Sequence, residues 1–595
     1  MKWNNKLMSA LAIMMTTVSI MMQSTEVYAA EQILPSGVES VQLEEKINVY
    51  VEEHRDTTTG MAVAVFDSAD ELLEKYYGYV DVENQIAVTQ DSVFEWGSTT
   101  KLLVWVSVMQ LYEQGKIELD ADICSYLPER FLTNLSYDTP VTMLNLMNHN
   151  AGFQEGYVDL MVTDADYISS LEEALRKHEP AQIYEPGTVT AYSNWGVALA
   201  GLIVEQVSGK SFGKYVHENI FEPLQMEHCA VSMDLSDNEW VQQKRKELQC
   251  YTTKGDLIPN CFYYITLYPA GMCTSTLEDF EKFAAALLRE DTALLKHTET
   301  WETLFTPSAY YGESGIPLNC HGFWMVPFGV QTFGHGGNTV GCSSYLLLDR
   351  EDHIGVVVMT NQSGEKVYNR DMMELIFGKY ERSNYTDNDE IPFGGFRTTR
   401  TVRKGPFKVM SLSYGGIDAE DERSLWIYDD SGKRSKIVFA YEDQIQTSLP
   451  LFLMEVGLVF LWIAAFGFLA VSLLVHGIVI LVRRVRGKAY VKKKLGLWST
   501  AAALLQLNIL LFLILVMYNV SHYALGDTYI WMFAMIGVFA IVMGVLCVYG
   551  IIQNNKGDKQ LLKVRQRVFN NITAVFLMVA VVNVLYWNLF MFWEV

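Results

Sequence analysis

Trp96-Gly-Ser-Thr-Thr-Lys101 runs without a break into Leu102-Leu-Val-Trp-Val-Ser-Val-Met-Gln-Leu111. A serine and a lysine three residues apart at a helix start share one face about one turn apart, so the ammonium of Lys101 can sit beside the hydroxyl of Ser98. That hydroxyl is a weak nucleophile at neutral pH unless a neighbour takes its proton, and a lysine helps only if burial or nearby charge lowers its pKa. The following helix is apolar on nearly every face and is predicted to be buried, which would desolvate a lysine in its first turn. The spacing alone is cheap: it recurs at Ser211-Phe-Gly-Lys214 and Ser363-Gly-Glu-Lys366, both in polar or amphipathic surroundings that read as surface.

Working outward, 595 residues exceed what one core holds, and half of them are hydrophobic although the formal net charge is −24. The two facts predict an acidic soluble part joined to a very apolar part. The acidity argues against a nucleic-acid partner. Lys2 and Lys6, an apolar run from Leu7 to Met22, and Val27-Tyr28-Ala29 with small uncharged residues at −3 and −1 describe a signal peptide over 1–29. Cleaved or retained as an anchor, it leaves the next domain on the same side of the membrane. The eight cysteines follow no metal-ligand spacing, and no metal or cofactor is expected. Export permits disulfides, and Cys250 with Cys261 is the pair to test.

From about Ser40 the chain reads as mixed α and β. A helix is predicted over Leu43–His54, strands over Met61–Phe66 and Glu74–Val82, then the Lys101 helix. Further helices are predicted over Val197–Val207, stopped by Ser208-Gly209, and over Leu277–Leu288. Strands follow around Phe333–Asn338, Ser344–Leu348 and His353–Met359, the last two a hairpin about Asp349-Arg-Glu-Asp352, and a helix over Lys366–Tyr380 would close the domain. Residues 386–448 are polar and glycine-dotted, with short alternating runs at Ser424–Tyr428 and Lys436–Tyr441. They read as a small β-rich connector, packed on the main domain or lying against the membrane.

Four apolar spans follow, about 451–482, 495–520, 529–552 and 568–592, each long enough for roughly 30 Å of hydrocarbon. The loop Arg483–Lys494 carries seven basic residues and no acidic one, and Gln553–Arg567 carries five basic and one acidic. The middle loop, Ser521–Thr528, has only Asp527. Positive-inside bias puts the two basic loops in the cytoplasm and everything before 450 outside, as the signal peptide predicts independently. His476 can snorkel, and Gln506, Asn508 and Asn583 can hydrogen-bond between helices.

Taken together, Ser98-x-x-Lys101, Tyr192-Ser193-Asn194 and His335-Gly336-Gly337 resemble, in order and separation, the three motifs of the serine β-lactamase and penicillin-binding-protein superfamily. The Tyr-x-Asn form is that of its class C β-lactamase-like branch. Flanking phrases resemble it too: Val93-Phe-Glu-Trp-Gly-Ser98, Leu146-Met-Asn-His-Asn-Ala-Gly-Phe153, Pro186-Gly-Thr188 and Pro269-Ala-Gly271. The resemblance spans about 40–380. It implies an α+β fold, an antiparallel sheet flanked by helices with a helical subdomain, over 40–385, then the connector 386–448 and the four-helix region 449–595.

It also implies roles. Ser98 would attack a carbonyl to give an acyl-enzyme; Tyr192, acidified by Lys101, would act as base; Asn194 would orient Lys101 and the substrate amide. The amides of Ser98 and Asn338 would form an oxyanion hole, with Gly336 and Gly337 leaving room for substrate. His335 stands where typical relatives carry lysine, and as a neutral imidazole it would hold a substrate carboxylate less strongly. His149 reads as structural. An ectodomain of this kind ahead of several membrane helices also resembles membrane-bound peptidases that remove an acylated D-amino-acid cap from prodrug peptides. The expectation is a multi-pass plasma-membrane serine hydrolase, its catalytic domain extracytoplasmic, in contact with membrane lipid. It would act on a small-molecule or peptide substrate: a D-amino-acid peptide, a peptidoglycan-related or prodrug peptide, or a β-lactam. The alternative is a sensor for β-lactams or wall peptides in which acylation of Ser98 is the signal.

Overall fold

The computed structural model describes residues 32–156, 158–381, 395–413, 424–428, 434–488, 494–556 and 564–595; the expected signal peptide lies outside the described residues. Numbered along the chain, the strands of the main sheet are β1 (Gly60–Asp67), β2 (Glu71–Asp81), β3 (Ile86–Ala87), β4 (Ala309–Tyr310), β5 (Pro317–Cys320), β6 (Phe323–Pro327), β7 (Gln331–Asn338), β8 (Ser343–Asp349) and β9 (Ile354–Thr360). They form one antiparallel sheet in the order β4-β5-β6-β7-β8-β9-β1-β2-β3. The N-terminal hairpin thus docks on β9, with Met61 opposite Thr360 and Asp67 opposite Ile354. The longer helices of this domain are α1 (Ser40–Glu53), α2 (Lys101–Glu113), α3 (Asn194–Ser208) and α4 (Leu277–Leu288).

Strand β1 shows no polar alternation because the sheet is covered on both faces. Ala62, Ala64 and Phe66 join a cluster with α2, α3 and α4, while Met61, Val63 and Val65 pack with Leu43 and Ile47 of α1. Helix α2 is buried from Lys101 to Leu111, as its uniform apolarity predicts. Truncating a fully buried side chain such as Trp105 would cost about 3–5 kcal/mol. At α3 the N-cap is Ser193, whose Oγ accepts from Gly196 N at 3.0 Å, and Gly209 ends the helix in the left-handed region. This is the α+β fold expected, an antiparallel sheet flanked by helices.

The helix expected over Lys366–Tyr380 is not continuous. A short turn at Asp371–Met373 and a helix of four residues, Glu374–Phe377, replace it. The buried Glu365 carboxylate accepts from Tyr368 N and Asn369 N, drawing those amides out of a helical ladder, and Gly378 at φ +78° closes the far end. Cys250 and Cys261 form the expected disulfide.

The connector forms a four-stranded sheet of β10 (Phe396–Thr398), β11 (Leu425–Tyr428), β12 (Arg434–Val438) and β13 (Asp443–Gln446), ordered β10-β13-β12-β11. It is hydrogen-bonded to the main domain: Tyr192 N donates to Tyr441 O at 3.0 Å and Asp443 N to Thr190 O at 2.9 Å. Four helices follow, α5 (Leu449–Val485), α6 (Lys494–Ser521), α7 (Ile530–Lys556) and α8 (Val564–Tyr586), all long and apolar enough to cross a membrane. Helix α8 stops short of the expected residue 592, because Asn588 turns to positive φ and Leu589 N closes back on Val584 O; Asn583 Oδ1 accepts from Trp587 Nε1 at 3.1 Å. Asn583 also donates to Leu458 O across to α5. Asn508 instead bonds Leu504 O within its own helix.

At 37 residues, α5 is about 55 Å long, well beyond one hydrocarbon thickness. Its first turns reach into the connector, where Glu455, a charge the sequence reading passed over, meets Arg397, Tyr586 Oη at 2.6 Å and Ser413 N at 3.1 Å. The α6–α7 turn docks on the main domain: Gly526 N donates to the buried Asp159 carboxylate at 2.7 Å, and the Tyr523 ring meets Tyr263 edge-on.

Candidate active site

The reactive turn is held by a seam between two backbones. Gly97 sits at φ +54°, and a Cβ there would lie 2.6 Å from Asn338 N; a Cβ on Gly337 would lie 1.8 Å from Trp96 O and 3.0 Å from Ser98 N. Only glycines allow this approach, which brings the amides of Ser98 and Asn338 to the same corner. Ser344 Oγ donates to Trp96 O at 2.6 Å, and Thr99 Oγ1 bonds Ser344 Oγ at 2.9 Å and His335 O at 3.2 Å. The glycines therefore serve packing as much as substrate access; a Cβ on Gly336 would meet the Tyr345 ring at 2.7 Å.

Lys101 is fully buried, with Nζ 2.9 Å from Ser98 Oγ and donating to Ala270 O at 2.5 Å. The carbonyl belongs to the Pro269-Ala-Gly271 phrase. Burial pushes the Lys101 pKa well below its ordinary value; the Glu155 carboxylate opposes this and the Arg400 guanidinium adds to it. The Tyr192 ring lies 5.0 Å from Lys101 Nζ, with its phenol beside the Ser98 hydroxyl. Burial raises the phenol above its usual value, more than the Ser98 bond and the Arg400 charge lower it. A neutral amine beside a protonated phenol is the arrangement these shifts favour. It differs from the expected acidified Tyr192.

His335 is buried, and its Nδ1 stands 2.6 Å from Gly336 O, a contact that requires the proton on Nδ1. Nε2 is then unprotonated, buried and without a hydrogen-bond partner among the described residues. Burial pulls the imidazole down to about 3, so it is neutral across the physiological range. A neutral ring with its Nε2 buried offers a carboxylate no cationic contact, which revises the expected carboxylate-binding role.

Asn194 lies on the same wall, but its Nδ2 donates to Glu155 Oε1 at 2.9 Å and its backbone N to Glu155 Oε2 at 3.3 Å, rather than reaching Lys101 as expected. His149, at φ +51°, stacks between Tyr192 (centroids 4.4 Å) and Trp324 (5.5 Å) and accepts from Ser193 N at 3.2 Å. It fixes the tyrosine ring from behind, in keeping with its structural reading.

Ser98, Tyr192, Asn194, His335, Gly337 and Asn338 all line one cavity of about 660 Å³, so the structure gathers every predicted site residue except Lys101, which lies beneath Ser98. Three neighbours escaped the sequence reading. Glu155 follows the quoted loop by two residues and has no motif of its own. Arg400 comes from the connector, its guanidinium 4.8 Å from the Tyr192 ring centroid. Tyr441 packs edge-on against Tyr192. Val520, Ser521 and Tyr523 of the α6–α7 turn also line the cavity. Chemically, the centre can deprotonate a hydroxyl, hold an oxyanion on two amides and deliver a phenolic proton.

A family profile described as Beta-lactamase matches residues 48–378, more than half of the chain. Among curated proteins, the chain is 21% identical over 320 residues to Protein flp of Staphylococcus aureus (strain MRSA252), covering 52% of this chain and 60% of flp. Among solved structures, D-amino acid amidase from Ochrobactrum anthropi SV3 is similar at 22% identity and TM-score 0.47, covering 57% of this chain and 97% of the amidase. The octameric penicillin-binding protein homologue from Pyrococcus abyssi is similar at 21% identity and TM-score 0.47, covering 68% and 99%.

Proposed function

Because this chain belongs to the Beta-lactamase family, we propose that it is a membrane-anchored serine hydrolase of the class C-like type, opening amide or ester bonds through an acyl-enzyme on Ser98. The observation that carries this reading is the buried Lys101 amine 2.9 Å from Ser98 Oγ. Neutral Lys101 takes the hydroxyl proton as Oγ bonds the substrate carbonyl carbon, and the amides of Ser98 and Asn338 receive the oxyanion. The Tyr192 phenol gives its proton to the departing nitrogen or oxygen and regains one from the Lys101 ammonium. Water then attacks the acyl-enzyme by the same route in reverse. The neutral His335 ring and Asn194, tied to Glu155, shape the wall beside the reacting serine.

D-amino-acid peptides, peptidoglycan-related or prodrug peptides and β-lactam-like compounds all present the carbonyl this chemistry requires. Full-length protein in detergent, mixed with members of each class and with short-chain esters, is expected to show a transient mass increase at Ser98 that decays with product release. An adduct persisting far beyond the assay, with no turnover, would overturn the hydrolase reading and support the sensor.

The same reading places the catalytic domain and connector outside the cell. The α6–α7 turn lies against Asp159 and the Glu594 side chain against Gly405, so both are on the Ser98 side, whereas the end of α5 and the start of α8 are the opposite ends of those helices. Alkaline-phosphatase fusions after residues 448, 525 and 595 are expected to be active and green-fluorescent-protein fusions after 490 and 560 to fluoresce. Active phosphatase at 490 would refute this topology.

A further inference from the structure

We propose that Arg400, carried into the cavity by the connector, is a specificity-determining residue that recognises a carboxylate on the departing fragment of the substrate. This rests on the reading of Ser98 as nucleophile. Near the reacting centre, Lys101 is engaged with Ser98 and Ala270, and His335 holds its Nδ1 proton on Gly336 O with Nε2 buried, so neither offers a cationic contact to an anion. Arg400 lies outside the family-matched segment, yet it lines the same cavity as Ser98.

Its position is built from both of its neighbours. Glu155 N donates to Arg400 O at 3.3 Å, and Arg400 N donates to Thr398 Oγ1 at 3.1 Å. Arg403 N bonds Gln154 Oε1, next to Glu155. The guanidinium stacks over the Tyr192 ring, and its Nε is 3.7 Å from the buried Glu155 carboxylate, while one third of the Arg400 side chain stays exposed. Glu155 is shared with Asn194 through two further bonds, so its charge is spread over several donors. The phenol on the same ring is the proposed donor to the departing atom, so a substituent on the departing fragment is the part of the substrate that comes nearest Arg400. A planar, permanently charged fork suits a carboxylate better than an ammonium would. A chain that releases fragments bearing a free carboxylate is the result.

The test uses full-length protein and two aryl phosphonates that phosphonylate Ser98, identical except that the departing phenoxide carries a carboxylate or a carboxamide. Each rate is normalised to the probe's reaction with hydroxide. The parent is expected to react about 10- to 100-fold faster with the carboxylate probe, through tighter initial binding. Arg400→Ala should erase that advantage, bringing the two normalised rates together, and Arg400→Lys should restore part of it. Arg370→Ala, at the other arginine lining the cavity, should leave it intact. Equal normalised rates in the parent, an advantage retained in Arg400→Ala, or equal slowing of both probes would overturn the proposal. No labelling of the parent by either probe would instead sink the nucleophile reading, and the proposal with it.

Discussion

Ser98→Ala in the full-length protein is expected to abolish labelling by a fluorescent serine-directed phosphonate and to reduce turnover by about 10⁴- to 10⁶-fold, since the bond-forming atom is removed. The fold has little reason to change. The turn is held by Thr99, Ser344 and the Gly97–Asn338 contact, and Lys101 keeps its bond to Ala270 O, so stability should stay within about 0.5 kcal/mol. The two other Ser-x-x-Lys sites cannot substitute. Ser211 caps a short helix beside the exposed Lys214, and Ser363 Oγ is bonded to Thr339 O. Persistent labelling of the alanine variant would mean that the reactive serine lies elsewhere.

Lys101→Met should cost turnover about 10³-fold, or about 4 kcal/mol in the barrier, while raising the melting temperature. The two effects share one cause. Burial depresses the Lys101 pKa, so between that value and the ordinary value of about 10.4 the unfolded chain holds a proton the folded one lacks. In that window stability rises with pH, and it falls as the pH drops toward the depressed value. Methionine removes the dependence and suits the apolar surroundings. In the parent, kcat/KM should climb with pH as the amine loses its proton, and that limb should vanish in the variant. Adding Tyr192→Phe should cost little more, because the two groups serve one proton path. A surviving pH limb in Lys101→Met would assign the base to another group, and a lowered melting temperature would make the lysine structural.

What could be read in advance follows from how local each feature is. Ser98 and Lys101 lie on one helical turn, so their spacing carried their contact, and the apolar residues after them announced the burial that leaves the amine unprotonated. Tyr192 and Asn194 flank the cap of α3, again a local pattern. The sheet was legible from β1, β8 and β9. His335 was found, but its tautomer depends on how the backbone folds back at Gly336, which no residue type reports. The closing helix was misjudged because the periodicity of 366–380 says nothing of the Glu365 carboxylate that competes for the amides of Tyr368 and Asn369. Arg400 and Glu155 lie 245 positions apart and meet only because the connector folds back, so neither segment hints at the other.

The docking of the connector on the Thr190–Tyr192 segment bears on where this molecule can be divided. Tyr192 N and Thr190 O find their partners at Tyr441 and Asp443, and Tyr441 covers one edge of the tyrosine ring. A fragment cut after residue 385, at the natural border of the recognisable sequence, would expose two backbone groups and one edge of the Tyr192 ring to water while retaining every motif. The unit that evolution has copied and the unit that must fold together are therefore different lengths of chain, and a gene fragment meant to act alone has to extend at least to residue 448.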